Sequence, residues 1–110
     1  MRCYPGNFMQ ITTNQQRGDR ALLKLIGRLD GAAYLTLKGA CAPWLRKPTL
    51  RQIQLDLQDV DGLGPGAPGV LLVLDEQAAA AGKTLRLTGG REHIRHALEV
   101  AGLRIFVRVL

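Results

Sequence analysis

The chain predicts an α/β fold with a mixed sheet, on three observations. Two short strand-like segments, Phe8 to Thr13 and Ala21 to Ile26, flank a polar turn. Three later stretches with helical spacing of apolar residues alternate with further strand-like segments. The stretch Arg51-Gln52-Ile53-Gln54-Leu55-Asp56-Leu57 alternates apolar and polar side chains throughout, the signature of a strand with one covered face.

Element by element, Phe8 to Thr13 reads as a strand and Asn14 to Arg20, with its Gly-Asp pair, as a turn. Ala21 to Ile26 is the second strand of an antiparallel hairpin, broken by Gly27-Arg28-Leu29-Asp30, where Asp30 suits a helix cap. The first helix is expected over about Gly31 to Ala42, with Ala33, Leu37, Ala40, Cys41 and Trp44 on one stripe and Pro43 and Pro48 bracketing its exit loop. The alternating strand ends at Leu57, and Gln58 to Gly69 reads as a loop. A second helix starts near Pro68, which a first turn accepts, and stops at Gly82. Its stripe is Val70, Leu71, Leu74, Ala78 and Ala81. Thr84 to Thr88 is a strand, and Arg91 to Ala101 a helix with Ile94, Ala97, Leu98 and Ala101 on one face. Ile105 to Leu110 reads as a last strand. The order is β-β-α-β-α-β-α-β, about five strands and three helices. Crossover helices between the later strands require parallel pairing there.

At 110 residues this is a single domain over 1–110, with 1–7 expected to be a loose N-terminal segment. Hydrophobic residues at 46% and charged ones at 22% are ordinary for a globular protein. No apolar run nears the roughly 20 residues that span a bilayer, and the N-terminus lacks the apolar segment of a signal peptide. A cytoplasmic location is the expectation. Cys3 and Cys41 do not have the spacing of a disulfide scaffold, and Cys41 reads as a small buried residue.

The net charge of +6 comes from Lys and Arg spread along the chain, densest at Arg46-Lys47 with Arg51. No basic run is interleaved with aromatics, so nucleic acid is not the expected partner; a solvated surface is, with an acidic partner or anionic membrane face as the other reading.

Chemistry-bearing clusters are sparse. His93 and His96 stand at helical spacing with Glu92 and Glu99 nearby, half of a metal site with nothing to complete it. Asp56, Asp59 and Asp61 read as surface turn residues. The chain has no serine, and both histidines fall on one helix, so no nucleophile–base pair is visible and no enzyme, metal or cofactor is expected. Gly64-Pro65-Gly66-Ala67-Pro68-Gly69 spells G-x-G-x-x-G before a helix. Its two prolines remove amide donors that a phosphate would need, so a rigid turn is the reading preferred over a nucleotide site.

Residues at the joints of this pattern resemble those of the STAS domain family, whose well-known members are anti-sigma factor antagonists. They are Leu25-Ile26-Gly27-Arg28-Leu29-Asp30 before the first helix, Leu55-Asp56-Leu57 in the central strand, Ala81-Gly82-Lys83-Thr84-Leu85-Arg86-Leu87-Thr88-Gly89, and Leu98-Glu99-Val100-Ala101-Gly102-Leu103. The resemblance implies a bacterial signalling module acting in transcription regulation by docking to a kinase-like ATPase domain of an anti-sigma factor. It implies, alternatively, an accessory subunit binding the ATPase of an ABC phospholipid transporter, or a nucleotide-binding regulatory module. The family's phosphorylated Asp-Ser-Ser-Gly motif aligns with Gly64-Pro65-Gly66-Ala67, so no phosphoacceptor stands at the usual loop. The expected contact surface is Asp61, Gly62, Leu63, Gly64, Pro65, Gly66, Ala67, Pro68 and Gly69 with Val70, Leu71, Asp75 and Glu76 of the following helix. Oligomeric state is left open, a homodimer included.

Overall fold

Ile53, Leu55 and Leu57 all point into one core, as their alternation requires, and the rest of the architecture is arranged around their strand. The structure is a computed structural model and describes residues 9–103. Its strands are β1 (Gln10–Arg17), β2 (Arg20–Leu29), β3 (Gln52–Leu63) and β4 (Thr84–Thr88). Its helices are α1 (Tyr34–Leu45), entered through a 3-10 turn at Gly31–Ala33, α2 (Ala67–Ala80) and α3 (Glu92–Val100). The described sheet is four-stranded in the order β1-β2-β3-β4, antiparallel between β1 and β2 and parallel across the other two pairs. The expected loose segment 1–7 and the expected strand Ile105 to Leu110 lie outside the described residues.

One face of the sheet supplies Leu23 and Leu25, Ile53, Leu55 and Leu57, and Leu85 and Leu87 to the core. Leu37 and Cys41 of α1, Leu71 and Leu74 of α2, and Ile94 and Leu98 of α3 close over them. Burial pushes the Cys41 thiol up to about 11, as desolvation of a thiolate requires. Three alanines of the expected stripes, Ala81, Ala97 and Ala101, are exposed. Gly82 takes the left-handed conformation expected after α2, at φ 74°.

Three strand ends differ from the sequence reading. Asn14 to Arg17 belong to β1, and the turn contracts to Gly18-Asp19; a polar strand at the edge of the described sheet looks like a turn in sequence. β2 does not stop at Gly27 but runs to Leu29, because Gly27 adopts φ 97° where the register shifts. β3 continues through Gln58 to Leu63, the largest difference. Between Lys24 and Ile26 on β2, β3 advances from Asp56 to Asp59, and between Gly27 and Arg28 it advances from Val60 to Gly62. Each step inserts one extra residue, a β-bulge, and the first moves the buried position from Leu57 to Val60, breaking the period of two. Asp59 and Asp61 are thus strand residues; Asp59 pairs with Lys24 at 3.5 Å on the exposed side.

Pro43 lies within α1 rather than in its exit loop, in the last turn, where its missing N–H removes one bond only. The segment beyond is anchored by Lys83, 9% exposed, whose ammonium donates to the carbonyls of Lys47 and Leu50 at 2.8 Å each. Replacing it by Met is expected to lower stability by about 1–3 kcal/mol, since both carbonyls lose a charged donor while the volume is kept. Urea unfolding at neutral pH measures this; an unchanged midpoint would mean that the anchor contributes nothing.

Candidate functional site

β2 and β3 end side by side, and their parallel pairing continues into the two strand-to-helix connections. The last register pair is Leu29 with Leu63. Beyond it the Gly64 N–H donates to the Leu29 carbonyl at 2.8 Å, and the Gly31 N–H donates to the Pro65 carbonyl at 2.8 Å. Asp30 caps the first connection, accepting the Ala32 N–H on Oδ1 at 2.9 Å while its carbonyl accepts from Ala33 at 3.0 Å. Two helices thereby start from one corner.

Within the second connection, the Ala67 N–H donates to the Gly64 carbonyl at 3.2 Å, closing a four-residue turn. Pro65 takes its second position, and Gly66, at φ 87° and ψ −7°, its third. That is a type II turn, which wants these two residue types in this order. Gly66 is also the N-cap of α2, without a side chain to bond the first-turn amides, and Pro68 occupies the start of the helix. The corner is close-packed. A Cβ on Gly66 would stand 3.0 Å from the Gly31 Cα, and one on Gly64 would stand 2.7 Å from the Arg28 Nε. As a phosphate cradle the loop has little to offer: Gly64 and Ala67 use their amides within the corner, and both prolines lack one.

The residues expected to form the contact surface separate into two groups. Asp61, Pro65, Gly66, Gly69 and Glu76 are exposed, and Gly62, Leu63, Gly64, Pro68 and Asp75 are half-buried. Ala67, Val70 and Leu71 are buried and belong to the core, so they cannot present a contact surface while the fold is intact. The apolar side chains that α1 and α2 do expose near the corner are others. Leu35, in the first turn of α1, is 74% exposed; Leu72 and Val73, in the second turn of α2, are 42% and 36% exposed. The two helices are tied across by Gln77, whose amide donates to the Tyr34 hydroxyl at 3.3 Å. Leu35, Leu72 and Val73 were legible as apolar residues standing off the stripes of their helices.

His93 and His96 are exposed on α3, and the His93 Nε2 lies 3.4 Å from the Asp61 carbonyl oxygen. Among the described residues, no group of three His, Cys, Asp or Glu could hold a metal ion. No helix among them is long and apolar enough to cross a membrane.

Comparison with known proteins agrees with this geometry. The unphosphorylated anti-sigma factor antagonist SpoIIAA superposes with a TM-score of 0.75 at 14% identity, over 94% of this chain and 88% of that one. An anti-sigma factor antagonist from Mycobacterium paratuberculosis gives 0.73 at 14% identity, over 93% and 85%. The murine anion transporter Slc26a9 gives 0.72 at 12% identity, over 93% of this chain and 21% of that much longer one. No curated protein matches the sequence. A family model described as "Mlab, STAS domain" matches residues 12–108, nearly the whole chain. On that match, and with the fold shared by the anti-sigma factor antagonists, the chain belongs to the STAS domain family.

Proposed function

We propose that this STAS domain is a non-catalytic docking module whose contact surface is the corner and the exposed residues in the first two turns of the helices that leave it. The surface comprises Pro65, Gly66 and Gly69 with Leu35, Leu72 and Val73, and Glu76 at its margin. One observation carries the reading: large apolar side chains stand in solvent beside a corner whose own backbone is locked by reciprocal hydrogen bonds. A rigid turn flanked by exposed apolar groups is a preorganised surface that costs little ordering on association. The partner in this reading is a protein inside the cell, a kinase-like ATPase domain of an anti-sigma factor. Without a hydroxyl anywhere in 61–69, binding is not switched by phosphate on this loop.

A second reading keeps the same surface and changes the partner to the ATPase of an ABC phospholipid transporter. The observation favouring it is that the fold recurs inside a transporter chain. Affinity isolation of the chain with its partner from its source, followed by mass spectrometry, separates the two.

Gly69→Asp tests the surface in either case. Gly69 is exposed and a Cβ there meets nothing within 4 Å, so the change adds charge without disturbing the corner. Affinity for the isolated partner is expected to fall at least roughly tenfold, as a charge enters a desolvated contact. Wild-type affinity in this variant and in Leu35→Asp would place the contact elsewhere.

A further inference from the structure

At the opposite end of the sheet, the β1–β2 turn and the segment joining α1 to β3 meet. The Arg51 and Gln52 amides both donate to the Asp19 carbonyl, at 2.7 and 3.2 Å. The Trp44 indole N–H donates to Asn14 Oδ1 at 2.8 Å, and the Lys47 ammonium donates to Gln16. The two connections form one surface, held from beneath by Lys83.

That surface exposes Arg17, Arg20, Arg46, Lys47 and Arg51 against a single carboxylate, Asp19. Among the described residues none of the five forms an ion pair, and the segments 1–8 and 104–110 contain no Asp or Glu to neutralise them. Arg17 and Arg20 are moreover direct cross-strand partners. Like charges opposite one another destabilise a hairpin, so folding alone gives no reason for this pair.

We propose that this end of the molecule binds an anionic lipid surface. Five cations on two adjoining connections at one blunt end can approach a charged plane together, and each adds attraction to acidic headgroups. Among the described residues, none of the exposed large apolar ones, Ile26, Leu35, Leu72, Val73 and Val100, lies on either connection, so what is described of this surface lacks the apolar centre of a protein interface. Among the described residues it also offers no free aromatic for stacking bases, since the Trp44 N–H is engaged by Asn14 and its ring lies under Lys47 at 5.5 Å. Attachment is electrostatic and reversible, and it leaves the corner at the other end of the sheet free.

The test is sedimentation of the full chain with vesicles of phosphatidylglycerol and phosphatidylcholine, beside pure phosphatidylcholine and random duplex DNA. Binding to the acidic vesicles alone, weakening as salt rises, is expected. Arg46→Gln with Arg51→Gln should weaken it by roughly tenfold to thirtyfold, and so should Arg17→Gln with Arg20→Gln. Lys38→Gln with Arg91→Gln, which removes the same charge elsewhere, should change it far less. Circular dichroism verifies that each variant is folded. Equal losses in all three pairs would reduce the effect to net charge and overturn the assignment. Absence of vesicle binding, or tighter binding to DNA, would overturn it as well.

Discussion

Leu71→Ala is expected to lower folding stability by about 3–4 kcal/mol and to leave partner affinity unchanged in the protein that remains folded. The Leu71 side chain is fully buried between α2 and the sheet, so truncation loses transfer energy and leaves a cavity. Urea titration should show a lower midpoint at constant slope. Binding measured well below the midpoint should match wild type. Gly69→Asp, two residues away and on the opposite face of the same helix, is expected to do the reverse, with affinity lost and the midpoint nearly unchanged. Little loss of stability in Leu71→Ala together with a loss of binding would return this residue to the contact surface.

Gly66→Ala is the second large effect, expected at about 2–3 kcal/mol. A non-glycine residue held in the left-handed region costs roughly 1–2 kcal/mol. The new Cβ would also stand 3.0 Å from the Gly31 Cα, a backbone atom that cannot move without opening the hydrogen bond from Gly31 to Pro65. Gly69→Ala supplies the contrast. It lies in the first turn of the same helix at ordinary φ with open space around it, so the change should stabilise by about 0.5–1 kcal/mol. Comparable midpoints for the two variants would mean that Gly66 is not held in a type II turn. The same strain means that charge introduced at Gly66 reports on folding as much as on docking, which is why Gly69 carries the binding test.

The order of elements was legible because most of it rests on periodicity: the stripes at Leu37 and Cys41, Leu71 and Leu74, and Ile94 and Leu98 are all core positions. The joint residues around Asp30, Leu55 and Gly82 carried the family. What was not legible lies where local sequence is silent about tertiary placement. Gln58 to Leu63 looked like a loop because two bulges on β3 shift the buried phase, and the pairing of Asp59 with Ile26 and Leu63 with Leu29 depends on a distant strand. Val70 and Leu71 looked available because they follow the loop directly, but the start angle of α2, set by Gly66 and Pro68, turns them inward and leaves Leu72 and Val73 outside. The basic end was visible only as scattered cations; the hydrogen bonds to the Asp19 carbonyl bring Arg17 and Arg20 beside Arg46, Lys47 and Arg51.

Amide hydrogen exchange of the chain, free and saturated with its isolated partner, tests the docking corner most directly. Slowed exchange in 66–73 and in 31–36, with the β1–β2 turn at 17–20 unaffected, is the expected result. Protection confined to α3 or to the basic end, with the corner exchanging as in the free chain, would contradict it.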